Sequence, residues 1–205
     1  MFSASLFFAL NVLGTFAFGL SGAMVAIRKE LDLLGIMVLA AATGVAGGIL
    51  RDVILGAVPP LALRETWPIA LASSAGLISF FVSPLIERLN RPVMLLDAIG
   101  LGVFAIAGCQ KALSHGLSAP GAILLGVMTA VGGGAVRDIM AAEVPRVLRE
   151  DVYALAALAG ALAYTVCLKA GVSEPIAATG TVLLAFALRV ASVRFGWKLP
   201  RAPWS

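Results

Sequence analysis

Thr43-Gly44-Val45-Ala46-Gly47-Gly48-Ile49-Leu50-Arg51-Asp52 decides how this chain is read, because it recurs 86 positions later as Thr129-Ala130-Val131-Gly132-Gly133-Gly134-Ala135-Val136-Arg137-Asp138. Each copy sets paired glycines inside an apolar run and closes with an Arg-Asp pair. Glycine weakens a helix, and a charge inside a bilayer is costly. A sequence that carries both liabilities at matched places is using them.

Working outward, the offset of 86 residues aligns Asn11–Pro60 with Asp97–Arg146 without a gap and with fifteen identities. They include Gly14/Gly100, Phe18/Phe104, Gly22/Gly108, both threonines, both Arg-Asp pairs and Pro59/Pro145. One deletion further on, Arg64-Glu65 meets Arg149-Glu150. The chain is a duplication.

Composition says what surrounds it. Of 205 residues, 60% are hydrophobic and 13% charged, against about 45–50% and about 25% in soluble domains. Mean hydropathy is +1.02. These values describe a chain solvated by lipid. The net charge of +4 does not imply nucleic acid, because the basic residues form short clusters between apolar runs and no basic face. Cys109 and Cys167 lie inside apolar runs and read as buried free thiols. The N-terminus has no positive n-region, and the first apolar run is too long for a signal-peptide core, so it reads as a retained helix.

A helical span needs roughly 20 apolar residues, and the sequence holds seven candidates: 4–27, 33–56, 66–86, 93–113, 119–142, 152–168 and 175–193. The expected fold is an all-α membrane protein, a single membrane domain. Repeat one (4–86) and repeat two (93–170) have three helices each, a seventh helix covers 174–195, and 196–205 form a tail. An odd number of helices per repeat makes the second copy enter from the opposite side, so the repeats are inverted. Nine basic loop and tail residues against three place the C-terminus in the cytoplasm and the N-terminus outside.

Several side chains then invite a reading of their chemistry. At Gly47-Gly48 and Gly132-Gly133-Gly134 a helix can bend or unwind and free carbonyls for a cation, with Gly44 beside the first break and Thr43 and Thr129 adding hydroxyl oxygens. The alternative is that the glycines only let helices approach closely. Neighbours on a helix point about 100° apart, so Arg51-Asp52 and Arg137-Asp138 are expected to find partners elsewhere. They either guard a pathway or brace helix ends. Gly-x-x-x-Phe-x-x-x-Gly in the first and fourth helices is read as packing, with a Phe constriction in a pathway as the alternative. Lys111 is expected to snorkel or, as a charge of the pathway or of an ion pair, to influence ion entry. Arg189 is expected to snorkel, and Asn11 and Asp97 to be polar residues near helix N-termini. His115 sits in a turn. There is no nucleotide-binding loop, metal cluster or nucleophile–base pair, so neither an enzyme nor a cofactor is expected.

Gly-Gly-x-x-Arg-Asp in both the second and fifth helices, with two three-helix repeats and a seventh helix, resembles the prokaryotic members of the trimeric intracellular cation (TRIC) channels. This group overlaps a family described as glycine transporters. The resemblance implies a homotrimer in the inner (plasma) membrane, in contact with membrane lipids. Each protomer would have its own pore along the second and fifth helices, permeable to potassium. It places Gly47, Gly48, Gly133 and Gly134 at kinks and Arg51, Asp52, Arg137 and Asp138 beside the pathway. A secondary transporter of glycine or another small zwitterion is the rival reading, since broken helices in matching positions also mark transporters.

Overall fold

The computed structural model describes residues 3–86, 92–149 and 152–197. Among them the regular structure is entirely helical: α1 (Ala4–Arg28), α2 (Leu33–Ile54), α3 (Leu61–Arg64), α4 (Trp67–Ile86), α5 (Pro92–Ser114), α6 (Ala119–Met140), α7 (Arg146–Arg149), α8 (Tyr153–Lys169) and α9 (Glu174–Phe195). The seven long helices fall on the seven expected runs, and α3 and α7 are single turns in what read as loops. Six long helices have the length and apolarity to cross a bilayer, while α8, with 17 residues, is shorter. The tail beyond Trp197 and the loop charges Arg88, Arg91 and Glu150 lie outside the described residues.

Local chemistry sets the helix ends. The Ser3 side chain accepts the Leu6 N–H at 3.3 Å and Asp32 accepts the Gly35 N–H at 2.7 Å, starting α1 and α2. α6 and α9 carry Pro120 and Pro175 in their first turns, where the missing N–H costs nothing. α2 stops at Gly56 (φ +68°), and the Ala57 N–H returns to the Asp52 carbonyl at 2.8 Å. The second repeat copies this stop with Ala142 (φ +57°) and Glu143 bonded to the Asp138 carbonyl at 2.8 Å.

α1 and α5 are the most enclosed helices, and α2, α4, α6 and α9 turn apolar faces outward. The α1–α5 contact is reciprocal. Gly14 faces the Phe104 ring and Gly100 faces the Phe18 ring. The two rings meet with centroids 5.5 Å apart. The packing reading of Gly-x-x-x-Phe-x-x-x-Gly is therefore what the structure shows.

The α2–α6 crossing is reciprocal too. Gly47 lies against the Thr129 carbonyl oxygen and Gly133 against the Thr43 carbonyl oxygen. Such exchange of partners is what a two-fold relation between inverted repeats produces. Of the bending or unwinding expected at these glycines, unwinding does not occur: both helices remain α-helical through them. Thr43 and Thr129 donate to the Leu39 and Leu125 carbonyls at 2.6 Å each and face Gly22 and Gly108. Their hydroxyls are thus committed within their own helices.

A methyl group at Gly47 or Gly133 would collide with backbone, which cannot rotate away. At Gly48 its nearest neighbour is the flexible end of Arg51 at 3.7 Å. Gly47→Ala and Gly133→Ala are therefore expected to cost about 1–3 kcal/mol by overpacking, and Gly48→Ala much less. Thermal unfolding in detergent checks this, and equal melting temperatures for the three variants would show that the seam opens freely.

Candidate functional site

Each Arg-Asp pair forms a buried clasp. Arg51 Nε donates to Asp52 Oδ1 at 2.8 Å, and Arg51 Nη1 donates to Asn11 Oδ1 at 3.2 Å. Asp52 Oδ2 accepts the Leu61 N–H at 2.9 Å, which fixes the start of α3. In the second repeat Arg137 Nε donates to Asp138 Oδ1 at 2.9 Å and Arg137 Nη1 to Asp97 Oδ1 at 2.5 Å. Asp138 Oδ2 accepts the Arg146 N–H at 2.8 Å, at the start of α7. All four members of the two pairs are at most 1% exposed.

Three sequence expectations are corrected here. The paired residues do bond to each other: Cβ directions 100° apart leave a long arginine free to fold back, and Nε lies close enough to reach its neighbour. Asn11 and Asp97 are not helix-end residues. They lie within α1 and α5 as equivalent acceptors, each 40 residues before the arginine it binds. Lys111 does not snorkel. Its Nζ lies 2.7 Å from Asp52 Oδ1, which joins the second repeat to the first.

Arg189 does not snorkel either. It is 2% exposed, and its guanidinium lies over the Tyr153 ring, 4.9 Å from the centroid. The unforeseen members of the two clusters are Ser21, whose Oγ accepts from Arg137 at 2.6 Å, and Tyr153. A third cluster also went unread. Glu174 at the start of α9 accepts the Ser3 N–H at 2.7 Å and a bond from Gln110 Nε2 at 2.5 Å, tying the start of α1, the end of α5 and α9 together. The available signal was an acid placed alone at the start of an apolar run.

The clasps sit at opposite ends of the bundle. The first shares its end with Ser3, Lys111 and Glu174. At the other end Lys29 and Glu143 pair at 2.7 Å, and the bond from Lys29 holds the Glu143 carboxyl below its ordinary range. Two cavities flank the first clasp. The outer, about 230 Å³, is bordered by Ser3, Phe7, Gln110, Lys111 and His115. The inner, about 20 Å³, is bordered by Asn11, Thr15, Gly44, Gly48, Arg51 and Asp52 and ends on Phe104. Lys111 borders one and Asp52 the other, so their ion pair stands between the two. A space of about 20 Å³ holds roughly one water molecule. Gly44 and Gly48 therefore face this space, while Gly47, Gly132 and Gly133 lie in the α2–α6 seam.

Comparison with known proteins agrees with this arrangement. A family model described as a glycine transporter matches twice, at residues 8–84 and 94–169. The UPF0126 membrane protein of Vibrio cholerae is 36% identical over 207 residues, covering 96% of this chain and 82% of that protein. The TRIC trimeric intracellular cation channel orthologue from Rhodobacter sphaeroides superposes with a TM-score of 0.89 at 35% identity, over 94% of this chain and 100% of that one. The chain belongs to the TRIC family. A second TRIC structure, from work on conductance through TRIC cation channels, gives a TM-score of 0.84 at 36% identity, over 95% of this chain and 96% of the other.

Within this TRIC fold the two clasps differ in what a lost arginine leaves behind. Asp52 keeps Lys111 at 2.7 Å when Arg51 is removed, whereas removal of Arg137 takes the ion-pair partner of Asp97 and leaves Asp138 only the more distant Arg146, with Nε at 4.0 Å. Leaving a buried charge uncompensated costs about 3–5 kcal/mol. Arg137→Met is therefore expected to lower the melting temperature of purified protein more than Arg51→Met. The reverse order would show that Lys111 does not compensate.

Proposed function

We propose that the protein is a channel for monovalent cations, potassium among them, with a passage in each protomer of a homotrimer. The observation that carries this is the pair of cavities at the first clasp. An outer vestibule and a narrow space bordered by Arg51 and Asp52 and ending on Phe104 lie on either side of the Lys111–Asp52 pair and outline a route. The inverted second clasp supplies the matching exit. The structures of similar proteins described as TRIC cation channels support the same reading.

The conformation is closed. A one-water space does not pass a hydrated cation. Arg51 and Lys111 against Asp52 leave the first cluster with one excess positive charge, which repels one. Opening requires Lys111 to leave Asp52, which places a carboxylate on the route. Gly44 and Gly48 line the passage in this reading. Thr43, Thr129, Gly47, Gly132, Gly133 and Gly134 shape it from the seam between α2 and α6.

The chain crosses the inner membrane seven times, α8 included, as two inverted three-helix repeats (4–86 and 93–170) and a last helix (174–195). The N-terminus is outside and the C-terminus in the cytoplasm. Exposed Leu34, Phe81, Leu124, Leu162 and Ile176 meet lipid or neighbouring protomers. Permeation needs no cofactor. Tag accessibility in intact cells checks the orientation, and a C-terminal tag readable from outside would overturn it.

Purified protein in a planar bilayer is expected to carry potassium current, and Gly48→Leu is expected to cut it at least tenfold while leaving a folded oligomer. Silence of the unaltered protein under every voltage and ion gradient tried would overturn the channel reading. The inverted repeats and the family's description as glycine transporters favour one rival, a carrier of a small zwitterion. Exchange of labelled glycine in liposomes without unitary currents would establish that carrier instead.

A further inference from the structure

The two halves of the duplication are not equally open. The positions bordering the inner cavity can be compared one by one with their counterparts. Thr15 becomes Leu101, Gly44 becomes Ala130, and Pro68 becomes Tyr153 once the single deletion is counted. These three changes add bulk in the second half, while Trp67 becomes the smaller Val152 and Asn11 becomes Asp97 at equal size. The effect is read at the paired glycines. A methyl group on Gly48 would meet only Arg51 Nη2 at 3.7 Å, whereas one on Gly134 would lie 2.7 Å from the Tyr153 hydroxyl. Tyr153 thus fills the space that stays open beside Gly48.

We propose that Tyr153 is a plug that closes the second half of the passage, and that Arg189 holds it in place from the helix lying outside the repeat. Tyr153 is 1% exposed, and its hydroxyl sits by Gly134, Asp97 and Arg137. Among the described residues neither that hydroxyl nor Asp97 Oδ2 makes a close hydrogen bond, and the hydroxyl interacts only loosely with the Asp97 carboxylate. A buried hydroxyl so loosely held is less well satisfied than it would be by water in an open passage, which disfavours the plugged position. The guanidinium over the ring favours the plugged position. A side chain pulled both ways is suited to move. An ordinary core tyrosine would have its hydroxyl satisfied where it rests.

This inference rests on the conducting role proposed above, so its test is read without current. In a Cys109→Ala, Cys167→Ala background, Val45→Cys and Val131→Cys place one thiol at equivalent positions of the two halves. A small cationic thiol reagent is then applied to proteoliposomes from both sides. Val45→Cys is expected to react at the same rate whether residue 153 is tyrosine or alanine. Val131→Cys is expected to react at least tenfold faster with Tyr153→Ala, by an intermediate amount with Arg189→Met, and little faster with Tyr153→Phe, which keeps the ring. A Val131→Cys rate unchanged by Tyr153→Ala, in protein whose Val45→Cys rate shows an intact first half, overturns the plug. Should Tyr153→Ala fail to fold, Tyr153→Ser and Arg189→Met carry the same comparison. A silent bilayer would count against the channel and leave this result standing.

Discussion

Backbone contact between α2 and α6 at Gly47 and Gly133 is the constraint on which the remaining structure depends. A glycine on each helix lies against the carbonyl of a threonine on the other. In lipid, helices gain little by hiding apolar side chains from one another, so association relies on close packing and on polar contacts. Two glycines at equivalent heights give that closeness only if the helices cross near the axis relating the repeats. Phe18 and Phe104 then meet beside the same crossing. The reciprocal packing of the two helices and the tightness of the waist are one geometric fact.

From that waist the clasps follow. Arg51 and Arg137 each stand four residues beyond Gly47 and Gly133, about one helical turn further from the crossing. The two guanidinium groups therefore lie on opposite sides of it. A buried arginine is tolerable only when its donors find acceptors. Its own aspartate supplies one and Asn11 or Asp97 another. The second oxygen of each aspartate holds the single-turn helix that follows. The residue types that look costly in an apolar run are those that close each three-helix unit.

Much of this was legible in the sequence. The seven long helices, the duplication and the Gly-Phe-Gly notches rest on periodicity and spacing, which depend on backbone alone. What was misread depends on side-chain reach. A 100° separation of Cβ directions says little about a guanidinium at the end of a long chain, so the bond within Arg51-Asp52 was missed. Lys111 and Arg189 looked like snorkelling residues because both lie near helix ends. Neither partner, Asp52 nor the Tyr153 ring, is near in sequence. Besides the lone acid Glu174, the pairing of Asn11 with Asp97 carried a usable signal, since each stands 40 residues before its arginine.

Duplicated halves need not remain equal, and the differences are where regulation can enter. The first half replaces the Asp97 of the second with Asn11 and takes its extra charge from Lys111, a residue of the other repeat. The second half keeps both carboxylates, fills the space beside Gly134 with Tyr153, and places Arg189 of α9 against that ring. Each half is thus restrained by a cation that its own three-helix unit does not supply. Moving one unit relative to the other bears on the first restraint, and moving α9 bears on the second. Two restraints carried by separate elements can be released separately, which a symmetric pair of clasps would not allow.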